Sequence, residues 1–148
     1  MTSTHLSLSL HIVFSTKHRL PCIESTWRSK LHAYIGGAAK REGVVPKIVG
    51  GVEDHVHILL EIRATHRLAD VMRGIKAASS AWVRRELGVR EFGWQDGYGA
   101  FSVSPSHRSG VVKYIRNQES RHRRMSFQEE YLKMLMESEV RYDPRYLW

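Results

Sequence analysis

The stretch VEDHVHILLEI, from Val52 to Ile62, restricts the fold more than any other part of the chain. Its apolar residues recur at every second position, the repeat of a strand whose side chains alternate between two faces. Val56, Ile58, Leu60 and Ile62 share one face, which needs a covering of helices. His55, His57, Leu59 and Glu61 share the other, which is expected to stand open. Upstream, VVPKIVGG is a second, β-branched strand, and GVED supplies the turn of a hairpin. Pro46 cannot donate to a ladder, so this partner strand is expected at a sheet edge or at a bulge.

The flanking segments fit around that hairpin. HLSLSLHIVFST has period two and predicts a strand over roughly residues 5–16, with Leu6, Leu8, Leu10 and Ile12 on one face and Ser7, Ser9 and His11 on the other. Between Glu24 and Gly43, Trp27, Leu31, Ile35, Ala38 and Ala39 recur at helical spacing. A second helix is expected after Thr65 as N-cap, with Leu68, Val71, Met72, Ile75, Ser79 and Trp82 on one side and Gly88 at its end. A strand near residues 100–103 follows, and Ser104 and Pro105 then open a helix running through Tyr114 to about His122. Ser126 and Glu129 have capping-box spacing before a last helix. The order β-α-β-β-α-β predicts an α+β, ferredoxin-like antiparallel sheet with both crossover helices on one face, plus C-terminal helices. One domain is expected over 1–148, with the last helix and the tail RYDPRYLW, from about residue 126, as an extension.

Charge narrows the function classes. Against 15 Asp and Glu stand 23 Lys and Arg, a formal net charge of +8, which favours a polyanionic partner and above all nucleic acid. The single cysteine, Cys22, excludes an intramolecular disulfide and fits a reducing, cytoplasmic setting. No apolar run approaches the roughly 20 residues of a membrane helix, and the alternating start is unlike the continuous apolar region of a signal peptide.

Two imidazoles at i and i+2 on one strand face lie roughly 7 Å apart at the backbone, within reach of one cation. In a chain with nine histidines the pattern alone is weak. Tyr114 and Gln118, four apart, share a helical face. A phenol offers a nucleophile and an amide oxygen a metal ligand, provided that the helix packs near the histidines. Asp54 is placed either to orient an imidazole or to shape the turn, and His11 is a reserve ligand. Residues suited to phosphate contacts are Lys17 and Arg19 after the first strand, Arg73 and Lys76 on the second helix, and Lys113, Arg116 and Arg121 around Tyr114. Trp94, Tyr98 and Phe101 suit core packing more readily than base stacking.

DHVHILL followed by YIRNQ on a split βαβ chain resembles the single-tyrosine HUH transposases, those of insertion sequences of the 200/605 type, and the related REP-associated tyrosine transposases. HIVFSTKHR, GIKAASSAWVRREL and WQDGYGAFSVS extend the resemblance over nearly the whole chain. It implies a DNA transposase acting on single-stranded DNA with hairpin ends. Tyr114 would be the nucleophile, forming a 5′-phosphotyrosine before the strands are rejoined. His55, His57 and Gln118 would hold a divalent metal, Mg²⁺ or Mn²⁺. The resemblance also implies a homodimer in which the histidines of one subunit meet the tyrosine of the other; Gly110, which weakens the helix locally, is compatible with such an exchange. Two alternatives stand beside it: a domesticated REP-associated transposase, and a non-catalytic nucleic-acid-binding module of the RNA-recognition type. The latter carries aromatics on its open sheet face, where this chain has His55, His57 and Glu61.

Overall fold

In the computed structural model, which describes residues 3–148, four strands form one antiparallel sheet. They are β1 (Ser9–Ser15), β2 (Val45–Gly51), β3 (His55–Glu61) and β4 (Gly99–Val103), in the order β2-β3-β1-β4. Helix α1 (Ser25–Arg41) connects β1 to β2, and α2 (Leu68–Glu86) connects β3 to β4. This is the expected α+β, split-βαβ architecture. β2 is an edge strand with a register shift between Pro46 and Ile48, where the proline interrupts the ladder.

One face of the sheet is dry for the reason its sequence gives. Ile12 and Phe14 of β1 and Val56, Ile58 and Leu60 of β3 meet Trp27, Leu31, Ile35 and Ala39 of α1 and Val71, Met72, Ile75 and Val83 of α2. Burying each of the larger of these contributes about 1.5–3 kcal/mol. Trp94 joins this core, edge-on to Phe14 at 4.7 Å with its indole N–H donating to Ser79 Oγ, and Tyr98 packs at its margin.

The histidine face does not stand open, contrary to the expectation from alternation alone. Helices α3 (Arg108–Arg116), α4 (Gln118–His122) and α5 (Phe127–Glu137) cover it, and His55 and His57 have no exposed surface. Val13 and Phe101 pack with Phe127 and Leu135 of α5, while Leu59 and Val103 pack with Ile115 of α3. Helices α3, α4 and α5 thus form a third layer.

Three boundaries differ from expectation. β1 begins at Ser9, because both neighbours stop there, at Glu61 and at Val103; Leu6 and Leu8 are left 52% and 41% exposed. α2 begins at Leu68 without a side-chain cap, because residues 63–66 form a turn in which the Arg63 amide donates to His66 Nδ1. The single helix expected over 105–122 is three pieces: a 3₁₀ turn (Pro105–His107), α3, and α4 after a break at Asn117. At α5 the expected cap is present, Ser126 Oγ accepting from the Glu129 amide.

Candidate active site

β3 alone aims His55 and His57 at one spot, and the three C-terminal helices bring the rest. α3 lies on β2 and β3, which its residue Ile115 can approach because Gly50 has no side chain: a Cβ there would lie 2.5 Å from the Ile115 carbonyl oxygen. Tyr114 is carried beside the two histidine rings, its own ring centroid 5.7 Å from that of His57. The break at Asn117 keeps Gln118 on the same side, with its Oε1 3.1 Å from His55 Nε2. His122, one turn further, places Nε2 3.0 Å from the same Gln118 oxygen. α5 then lays Glu130 into the centre: its Oε1 lies 3.0 Å from His57 Nε2, 3.2 Å from His122 Nε2 and 3.3 Å from His55 Nε2.

The outer partners fix the orientation of the inner atoms. Asp54 Oδ1 lies 2.7 Å from His55 Nδ1, the Met125 carbonyl 2.8 Å from His122 Nδ1, and His11 Nε2 2.8 Å from His57 Nδ1. If each ring donates from Nδ1, all three Nε2 lone pairs face inward. The Gln118 amide donates to the Tyr114 carbonyl and to Glu130 Oε2, which turns Gln118 Oε1 inward as well. Tyr114 O–H also donates to Glu130 Oε2, leaving Glu130 Oε1 for the centre. In that tautomer set five acceptors face one another, and a cation between them would remove the repulsion. A proton on His55 meets part of that need; a divalent metal would meet it all. The donor set therefore fits a metal, held by His55, His57, His122 and Glu130, whose ligand atoms lie within 4.8 Å of one another, with Gln118 Oε1 alongside.

Ionisation follows the same geometry. Burial alone would strip His55 of its proton, but the Asp54 and Glu130 carboxylates outweigh it and hold the pKa at about 9. Burial dominates at His57 and His11, pushed down to about 4 and about 3. Burial opposes the Glu130 carboxylate, yet hydrogen bonds from His122, His55 and His57 keep it well below the usual carboxylate range. Burial and then the Glu130 charge push the Tyr114 phenol well above its ordinary value, opposed by Arg121, whose guanidinium lies 4.2 Å from the ring centroid.

The structure thus brings together His55, His57, Tyr114, Gln118, His11 and Asp54 in one chain. The shared arrangement expected from the resemblance takes Tyr114 and Gln118 from a partner subunit; here α3 closes on its own sheet. Glu61 stands apart, paired with Lys47 at 3.6 Å. Of the basic candidates, Arg121 touches the site, and Lys113 and Arg116 lie exposed on α3. Lys17 and Arg19 lie on the turn after β1. Arg73 and Lys76 are on α2, across the sheet from Tyr114; Arg73 pairs with Asp70, and Lys76 donates to the Gln95 and Gly97 carbonyls.

Sequence reasoning missed His122 and Glu130. His122 continues the four-residue step of Tyr114 and Gln118. Glu130 interrupts the buried stripe of Phe127, Tyr131, Met134 and Leu135, and a carboxylate on an apolar stripe is a usable signal.

The family model of IS200-like transposases matches residues 4–118, ending at Gln118 and short of His122 and Glu130. A protein of Deinococcus radiodurans R1, provisionally described as a transposase, shares the fold with a TM-score of 0.65 and 21% identity, over 80% of this chain and 96% of that one. A REP-associated tyrosine transposase, solved bound to a REP hairpin, superposes with a TM-score of 0.59 and 13% identity, over 82% of this chain and 74% of that one. No curated protein matches the chain.

Proposed function

Since this chain belongs to the IS200-like transposase family, we propose that it cuts and rejoins single-stranded DNA with Tyr114 as nucleophile and a divalent metal held at His55 and His57. The observation that carries this reading is the meeting, within one chain, of the Tyr114 hydroxyl with the His55–His57–Gln118–His122–Glu130 cluster.

Tyr114 Oη attacks the scissile phosphorus, a P–O bond to Tyr114 forms, and the bond to the 3′-oxygen of the upstream fragment breaks. The product is a 5′-phosphotyrosine and a free 3′-OH; attack by a 3′-OH of another strand reverses the exchange, so no ATP is consumed. Glu130 Oε2 accepts the phenolic hydrogen bond and is the nearest acceptor for the proton, although the surrounding histidines hold its basicity low. Arg121, over the Tyr114 ring, offsets charge developing on the phenolate. When bound, a divalent cation supplies the positive charge that holds the scissile phosphate and favours the phenolate. Mg²⁺ and Mn²⁺ are the candidates the family offers, and three imidazole donors favour the transition metal. Hairpin-ended DNA is the proposed substrate, in keeping with the hairpin bound to the REP-associated relative. Lys113 and Arg116, exposed beside Tyr114, are the proposed phosphate contacts nearest the chemistry.

The test is incubation with a single-stranded oligonucleotide carrying a hairpin and Mn²⁺, followed by denaturing electrophoresis. Wild type should give an SDS-resistant protein–DNA band, and Tyr114→Phe none while still binding the hairpin. Adduct at wild-type level in Tyr114→Phe would remove Tyr114 from the role. Mixing His57→Ala and Tyr114→Phe chains separates the two arrangements. The single-chain site predicts no recovery, whereas a homodimer with exchanged helices would restore one site.

A further inference from the structure

The tail RYDPRYLW has no part in the chemistry above, yet it ends in a built surface. A cleft of about 510 Å³ lies between the turn after β1 and the last residues of the chain. On one wall are Lys17, His18 and Arg19; His18 and Arg19 both hold left-handed backbone, with φ of 58° and 54°. Two consecutive non-glycine residues in that region are costly, and such cost marks a segment shaped for more than connection. On the other wall Tyr146 and Trp148 stand 79% and 50% exposed. Arg19 lies over the Trp148 ring at 5.1 Å. Asp96 is the acidic residue on the lining, and Arg145 is already paired with Asp143.

One buried ring, Phe127, separates this cleft from the candidate active site. Trp148 packs against Phe127 with ring centroids 6.5 Å apart, and Phe127 stacks on His55 at 4.4 Å. From the other wall, the Thr16 amide donates to the Asp54 carbonyl, next to His55. A DNA strand passing over this side of the molecule would meet two exposed aromatic rings, each with an arginine, Arg19 or Arg145, over one face, and Lys17 beside them. A duplex hides its base faces inside the stack, whereas a single strand offers them, together with one phosphate per nucleotide. We propose that the cleft between Lys17–Arg19 and Tyr146–Trp148 is a subsite for single-stranded nucleic acid, bases stacking on Trp148 and Tyr146 and phosphates meeting Lys17 and Arg19. It deepens the transposase reading and rests on it: the strand it holds is the unpaired segment beside the hairpin.

The test uses the full chain and two fluorescein-labelled probes, oligothymidylate of about ten nucleotides, and a hairpin without single-stranded flanks. Trp148→Ala and Tyr146→Ala should each weaken oligothymidylate binding about tenfold, in the range that loss of one stacked base gives. Trp148→Phe should restore most of it, and the flankless hairpin should bind all variants alike. Tyr146 is exposed enough that its removal leaves folding intact, so the proposal stays testable if Trp148→Ala is unstable. Wild-type affinity for oligothymidylate in Tyr146→Ala and Trp148→Ala, or an equal loss for both probes, would overturn it. Adduct formation by wild type, measured in parallel, reports on the transposase reading separately. Adduct with no effect of the tail substitutions sinks the subsite alone; a tail effect without adduct sinks the transposase chemistry alone.

Discussion

On β3, Leu60 points to one side of the sheet and His57 to the other, and both are fully buried. The environments differ entirely. Leu60 lies among apolar side chains of β1 and the two crossover helices, and burying it required only shape and volume. His57 lies against His11, Glu130 and Tyr114, and burying it required a partner for each nitrogen. The first face is closed by α1 and α2; the second waits for residues 114–130, more than 50 positions further along the chain. One face is a core that any apolar filling of the right size would satisfy. The other is a polar network in which each member is held by the next.

That contrast predicts opposite phenotypes from neighbouring substitutions. Leu60→Ala should lower stability by about 2–5 kcal/mol and leave the Mn²⁺ affinity of the folded protein unchanged. His57→Ala should lower Mn²⁺ affinity by more than the roughly 100-fold that loss of a supporting outer group can reach, with a smaller effect on unfolding. Denaturant melts and calorimetric metal titration read the two quantities. Equal losses of metal affinity in both variants would break the division between the faces.

The apolar face was legible in the sequence because burial of that kind is local arithmetic. The two-residue period of β3, the helical period of α1 and the proline of β2 each report on a neighbour of known type. Of the second face, His55, His57, Tyr114 and Gln118 could be proposed from spacing and resemblance, but not the fact that it is dry. Alternation distinguishes polar from apolar positions; it does not distinguish solvent from a buried polar cluster. His122 and Glu130 were hidden for the same reason. Glu130 enters only because α5 folds back over the sheet, and no periodicity encodes that return.

The seam where the two layers share a strand should be the next most sensitive. Gly50→Ala would set a Cβ 2.5 Å from the Ile115 carbonyl oxygen and 2.8 Å from Ile115 Cγ2, forcing α3 and Tyr114 outward. The expected cost is about 1–3 kcal/mol, together with a fall in adduct formation. Gly36→Ala on α1, where nothing lies within 4 Å, should instead leave adduct formation unchanged and stabilise by about 0.5–1 kcal/mol. Similar melting temperatures for the two variants would mean that α3 is free to shift. A milder probe of the same layer is Ser126→Ala, which removes the cap of α5 and should cost about 1 kcal/mol. Because α5 carries Glu130, the substitution should loosen Mn²⁺ binding as well; a loss of stability without any change in metal affinity would detach α5 from the site.

The smallest effect is expected at His32, which lines the groove where α1 meets the β2 edge and α3. Burial, reinforced by Arg28, pushes its pKa down from 6.5 to about 4, and its Nε2 is buried without a hydrogen-bond partner. The unfolded chain takes up a proton near 6.5, the folded one only near 4, so between those values the unfolded state binds more protons. The stability this group contributes is complete above about pH 6.5 and is lost as the pH falls through that window. His32→Gln removes the titration while keeping a polar side chain. The drop in Tm between pH 7 and pH 5 should therefore be smaller in the variant than in wild type. It should not vanish, because His11 and His57 on the other face are also held neutral by burial. An acid response identical in the two proteins would assign all of it to the histidine face and none to the groove beneath α1.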